Sequence, residues 1–282
     1  MRPGALQETV LMSPEGKKAE TLAGRLMRQG VSASVLKHVA VITMLIDHVT
    51  CCFLEMVYLD GVPLYKTGPF WNYLDLAGRA VGRTAFPIFC FMVLEGYLHT
   101  RSRIRYLFRL ILFGLISHYP FNWAFFPRSV KPHTGTMFTL ALGLCSIWIL
   151  DAMLRAFPPD RDPKGKGTGN RWLNLLIALI VSCPAVFCLC WIAKTIGSDY
   201  SYGGVMTIVI MYLLRKSRDL QAILGWGWLS FYNSSELFAI PGFFLIRCYN
   251  GKKGKQYKYF FYIFYPAHLL ILYLIRKSIF GY

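Results

Sequence analysis

Apolar residues run along this chain in blocks long enough to cross a bilayer, with polar residues gathered between them. The first block, residues 35–57, reads VLKHVAVITMLIDHVTCCFLEMV, and about 20 mostly apolar residues suffice for a spanning helix. Further blocks predict spans at 84–99, 104–118, 137–154, 172–193, 203–214, 220–232, 237–246 and 259–275. The expected fold class is therefore all-α, a polytopic integral membrane bundle of about nine transmembrane helices. Three of the later spans are short, and Gly225, Gly227 and Pro241 predict broken or tilted segments there. Ser32 or Ser34 is placed to cap the first helix, and Pro120 to stop the third.

Two segments fall outside this pattern. Residues 1–30 form a polar tail ahead of a single transmembrane domain at 31–282, and residues 17–28 have the character of a short helix lying on a membrane surface. Residues 158–170, rich in Pro, Gly and Lys, predict a flexible loop without a phosphate-binding motif. No cleavable signal peptide is expected, because the first thirty residues are mixed polar and the first apolar run exceeds a signal core.

Composition agrees with the pattern. The chain is 55% hydrophobic and 16% charged, against about 25% charged in soluble domains. The net charge of +17 is compatible with nucleic-acid binding or with membrane topology, and its distribution decides. With a cytoplasmic N-terminus, 22 of the 31 Lys and Arg fall in cytoplasmic segments and 8 on the other side, as the positive-inside rule requires. No nucleic-acid partner is needed. Trp71, Trp123, Trp191 and Trp172 fit interfacial belts. The eight Cys, mostly within apolar runs, read as packing residues.

Candidate chemistry lies where ionisable groups interrupt the apolar blocks. Asp47 and His48 sit about 20 Å into the first helix, at a depth where a charge costs several kcal/mol and usually marks function. His48 is the candidate general base. Asp47, about 100° around the helix, is expected to face Arg83 or another helix, and a buried polar clasp of the two residues stays open as a reading. Glu95 is expected to pair with Arg109. Arg101, Arg103, Arg105 and Arg109 have the chemistry to grip phosphates, although topology alone also accounts for them. His118, Asn122, Asp199 and His268 are further polar candidates, and His268 reads more readily as a packing residue. The histidines are scattered with no HExxH pair, so no metal site is expected.

These blocks together resemble the TraX family, on LIDHV, GRTAFPIFCFMVLEGYLHT, RYLFRLILFGLISHYPFN, DYSYGGV and FYIFYPAHLLILY in that order. The resemblance covers about residues 35–273, interrupted by the 158–170 loop. The family takes its name from a conjugal-transfer protein that acetylates the N-terminus of pilin, and it resembles the broader transmembrane acyltransferases. The resemblance implies a bacterial plasma-membrane acetyltransferase using cytoplasmic acetyl-CoA. It implies that His48, with Asp47 beside it, serves the transfer. It places Arg83 in the same cavity. Glu95, His118, Asn122, Asp199 and His268 are read beside it as cavity candidates from their own chemistry, and so are the arginines at 101, 103, 105 and 109 as the group that would hold acetyl-CoA. The acceptor would be a pilin-like protein, a peptide or a glycan. A different class, a proton-coupled small-solute transporter with Asp47, His48, Glu95 and His268 as a relay, lacks the matching half-repeats such folds carry.

Overall fold

The structure, a computed structural model, describes residues 26, 29–127, 129, 131, 133–158, 170–255 and 259–281. The tail and most of the 158–170 loop lie outside the described residues, including the surface helix expected at 17–28. What is described is almost wholly α-helical. The helices are α1 (Ala33–Thr50), α2 (Pro69–Gly82), α3 (Ala85–His99), α4 (Arg103–Phe125), α5 (Thr136–Ala156), α6 (Arg171–Thr195), α7 (Ser201–Leu213), α8 (Arg218–Tyr232), α9 (Ile240–Arg247) and α10 (Phe260–Phe280).

Local chemistry sets most boundaries. Ser32, Ser102, Asn170 and Ser217 accept backbone N–H bonds at the starts of α1, α4, α6 and α8, filling donors that a helix leaves unpaired. After Thr50, α1 widens into one π-helical stretch, Cys51–Glu55, a distortion often found at functional sites. A hairpin that periodicity did not reveal follows, with Tyr58–Leu59 paired to Val62–Pro63. Asp60 and Gly61 make its turn with φ of 49° and 80°, the backbone a two-residue hairpin favours. The third expected span does not stop at Pro120, since α4 runs through it to Phe125.

Helix α2 was also not apparent from the apolar pattern. It presents Phe70, Trp71, Tyr73, Leu74 and Leu76 outward and buries only Gly78 and Gly82. Those glycines form a GxxxG pair, the spacing that lets two helix backbones close together. A Cβ on Gly78 would meet Thr50, and one on Gly82 would meet Asp47. So α2 is pressed antiparallel against α1, and α2 and α3 together make one 31-residue helical stretch broken at Arg83–Thr84.

Successive helices then run antiparallel between two ends. At the first end, the loop after α9 is bonded to the start of α1, with Ala33 N donating to Lys252 O at 2.9 Å. There Glu95 pairs with Arg218 and Asp219 with Arg247, while Asp151 receives Tyr97, Tyr212, Arg103 and Arg155. At the other end Arg276 is fully buried and donates to the carbonyls of Trp123 and Ala124. Between them lies a core of Leu36, Phe91, Leu94, Leu144, Ile147, Ile208 and Met211.

Among the described residues, five helical stretches are long and apolar enough to cross a membrane: Ala33–Glu55, Pro69–His99, Thr136–Ala156, Arg171–Thr195 and Phe260–Phe280. Helix α4 has the length, 23 residues, but carries Arg103, Arg105 and Arg109. Helices α7, α8 and α9, of 13, 15 and 8 residues, are shorter than a full crossing. Outward faces such as Leu176, Ile180, Phe187 and Trp191 on α6 are apolar, as lipid contact requires.

Candidate functional site

The second half of α1 opens onto a cavity of about 60 Å³. Its walls are Val41, Met44, Asp47 and His48 of α1, Phe86 and Phe89 of α3, Thr136, Met137 and Leu140 of α5, Asp199 and Tyr200, and Phe261 and Tyr265 of α10. Most of this lining is apolar, and the polar groups gather around one point.

At that point His48 meets His268. His48 Nδ1 lies 2.7 Å from His268 Nε2, and the two ring planes are within 6° of parallel. His268 Nδ1 in turn lies 2.7 Å from the carbonyl oxygen of Phe264, one turn earlier on α10. A backbone carbonyl only accepts, so His268 carries its proton on Nδ1. With His268 neutral, its Nε2 presents a lone pair and accepts the Nδ1–H of His48. That leaves the lone pair of His48 on Nε2, which makes no hydrogen bond to a described residue. His48 is buried and packed against Phe125 and Tyr265, ring centroids 4.9 and 6.4 Å away. The pair thus fixes both the orientation and the tautomer of a buried imidazole, which is what a general base needs.

Charge surrounds this base in a defined order. Asp47 pairs with Arg79 at 2.7 Å rather than with Arg83, and Arg79 Nε also reaches Glu55 at 3.0 Å. The GxxxG contact brings Arg79 to this position, and the π-helical stretch brings Glu55. Arg83, at the end of α2, pairs instead with Glu236 at 2.9 Å and approaches the Tyr200 hydroxyl at 3.4 Å. Glu236 is fully buried. Asp199 accepts the Thr136 hydroxyl at 2.6 Å, and its backbone carbonyl accepts that of Thr139. Tyr200 and Ser201 both take left-handed backbone, φ 60° and 43°, a strain that persists where the surroundings enforce it. Tyr200 is held there by stacking on Phe86, centroids 3.5 Å apart.

Of the residues singled out in the sequence, Asp47, His48, Asp199 and His268 are brought together here, with Arg83 just behind Tyr200. Glu95, His118 and Asn122 are placed elsewhere. Glu95 bonds Arg218 at 3.0 Å, not Arg109. His118 packs against Tyr119, and Asn122 fastens His133 through both backbone groups. Arg101, Arg103, Arg105 and Arg109 start α4 at the opposite end, where Arg103 is bound to Asp151 at 3.2 Å. Sequence reading missed Arg79, Glu236, Thr136 and Tyr265. The GxxxG at Gly78–Gly82 was the available signal for Arg79. For Glu236 it was an acid set directly against a short apolar run.

Fold and site together define a helical membrane protein with a histidine pair and a cluster of half-buried to buried carboxylates beside an internal cavity. The chain belongs to the TraX family: the family model described as TraX protein matches residues 32–276. It is also 28% identical over 268 residues to the "Probable fimbrial assembly protein FimC, serogroup H1" of Dichelobacter nodosus, covering 86% of this chain and 94% of that protein. No solved structure matches.

Proposed function

We propose that this chain is a membrane-embedded acetyltransferase that moves an acetyl group from cytoplasmic acetyl-CoA to an amine of a pilin-like or peptide acceptor. The observation that carries the reading is the hydrogen-bonded chain His48–His268–Phe264 carbonyl, which leaves an unprotonated nitrogen on a ring lining a cavity. Family membership and the fimbrial relative support an acceptor of the pilin kind. The charge of the site supports an amine over a glycan hydroxyl. In a chain of net charge +17, Asp47, Glu55, Asp199 and Glu236 outnumber Arg79 and Arg83, so an entering ammonium group is attracted.

In this reading the entering ammonium first gives up one proton to solvent, and His48 Nε2 then takes a proton from the neutral amine as its nitrogen attacks the thioester carbonyl. The C–N bond forms, the C–S bond breaks, and the proton returns to the departing thiolate. The Tyr265 hydroxyl is buried on the cavity wall beside Thr136, and we assign it as the donor to the oxyanion of the tetrahedral intermediate. Nine crossings with the basic end in the cytoplasm complete the proposal, with the short helices α7, α8 and α9 packed on one another.

Mass spectrometry of surface pilins and peptides from cells with and without the gene tests the function. An acetyl group present only when the gene is intact is the expected result. Restoration of that group by a folded, inserted His48→Ala protein would overturn the mechanism.

A further inference from the structure

The cavity beside His48 does not end there. It follows α1 and α10 toward the basic end, through Met44, Phe89, Met137 and Leu140, to Val41 and Phe261. Val41 and His48 are seven residues apart, about 10 Å along α1. The passage is walled by apolar side chains, which suits a linear arm carrying an acyl group.

Phe261, in the first turn of α10, stands between this passage and a set of cations. The Lys37 ammonium is 5.6 Å from its ring centroid, and His38 meets it edge-on at 5.7 Å. The neighbouring Tyr262 carries the Arg109 guanidinium, 5.9 Å from its centroid and 5.7 Å from that of Tyr106. Arg109 Nε is buried without a hydrogen bond to any described residue, and a buried donor on a cation calls for an anion or water. The loop leading to α10 adds the exposed Lys252, Lys253 and Lys255, and its backbone is fixed to α1 through Ala33 and Ser34. Of the four arginines that the sequence offered for this task, the three besides Arg109 are less well placed: Arg103 is committed to Asp151, and Arg101 and Arg105 are exposed at the start of α4.

We propose that Lys37, Arg109 and Lys252 form the mouth that binds the phosphates of the acyl donor, with Phe261 as the aromatic plug its arm must displace to bring the thioester to His48. This rests on the acetyl-CoA reading above and adds to it the point of entry. Guanidinium and ammonium groups on phosphate are strong, charge-assisted partners, and a narrow passage behind them rejects anions that lack a linear arm.

Direct binding of coenzyme A, and of phosphate-free pantetheine, to purified protein in the inactive His48→Ala background tests the inference. Lys37→Gln and Arg109→Gln are each expected to weaken coenzyme A binding by about tenfold or more and to leave pantetheine binding unchanged. Arg101→Gln and Arg105→Gln should leave both unchanged. Wild-type affinity in the Lys37 and Arg109 variants, or a loss confined to the Arg101 and Arg105 variants, overturns the proposed mouth and spares the acetyl-CoA reading. Absence of any coenzyme A binding in both the wild type and His48→Ala overturns that reading itself. Lys252→Gln, on the exposed loop, gives a third measurement should Arg109→Gln fail to fold.

Discussion

His268 acts on the cavity only through His48. It holds the imidazole by one hydrogen bond and selects the tautomer that leaves Nε2 unprotonated. Replacing it with Phe keeps an aromatic ring in the packing but leaves the Nδ1–H of His48 without an acceptor. His268→Phe is therefore expected to lower kcat for acetyl transfer by about 10²-fold or more, the usual scale for a misplaced general base, with the KM for either substrate little changed. His268→Gln, whose amide oxygen can accept, should recover part of the rate. Equal activity in the Phe and wild-type proteins would reduce His268 to a packing residue. Tyr265→Phe removes only the hydroxyl. Loss of one oxyanion donor predicts a fall in kcat of about 10²-fold, measured as the steady-state rate of acetyl transfer, and an unchanged rate would exclude Tyr265 from that role.

At the scale of elements, the decisive contact is α2 against α1, because it delivers Arg79 to Asp47 and Glu55. Gly82→Val puts methyl groups onto Asp47, and overpacking of this kind costs about 1–3 kcal/mol, so the melting temperature in detergent should fall. Gly227→Ala, where a Cβ meets nothing within 4 Å, is the matched control and should be neutral or slightly stabilising. A Gly82→Val protein as stable as the control would show that α2 does not pack as described. This contact also marks the limit of what the sequence made legible. Long apolar blocks announced α1, α3, α5, α6 and α10, because length and composition alone define a helix in lipid. Helix α2 announced nothing, since its buried face is two glycines and its aromatic residues face outward. His48 and Asp47 were legible because an ionisable group in an apolar helix is costly. That His48 would meet His268, 220 residues away, was not, because pairing across a bundle depends on how helices align.

For the whole molecule, the asymmetry of charge is the organising fact. The end where α1, α4, α8 and α10 begin carries Lys37, Arg101, Arg105, Arg215, Lys216, Arg218 and the 252–255 loop. The opposite end begins at Asp47 and His48 and holds Asp199 and Glu236. In the proposed reading, placing the first end in the cytoplasm, as the positive-inside rule directs, sets the proposed donor mouth on the side where acetyl-CoA is made. It then sets the acidic half of the cavity toward the side from which a secreted acceptor arrives. Because α1 begins and α10 ends at opposite ends of the bundle, the chain's two flanks are expected on opposite sides of the membrane. Fusing a reporter that matures only in the cytoplasm ahead of α1, and an enzyme that folds only outside it after α10, should give two active reporters. The reciprocal fusions should give none. A cytoplasmic reporter active after α10 would mean an even number of crossings. The donor and acceptor would then have to share one entrance, and the two-sided transfer would have to be abandoned.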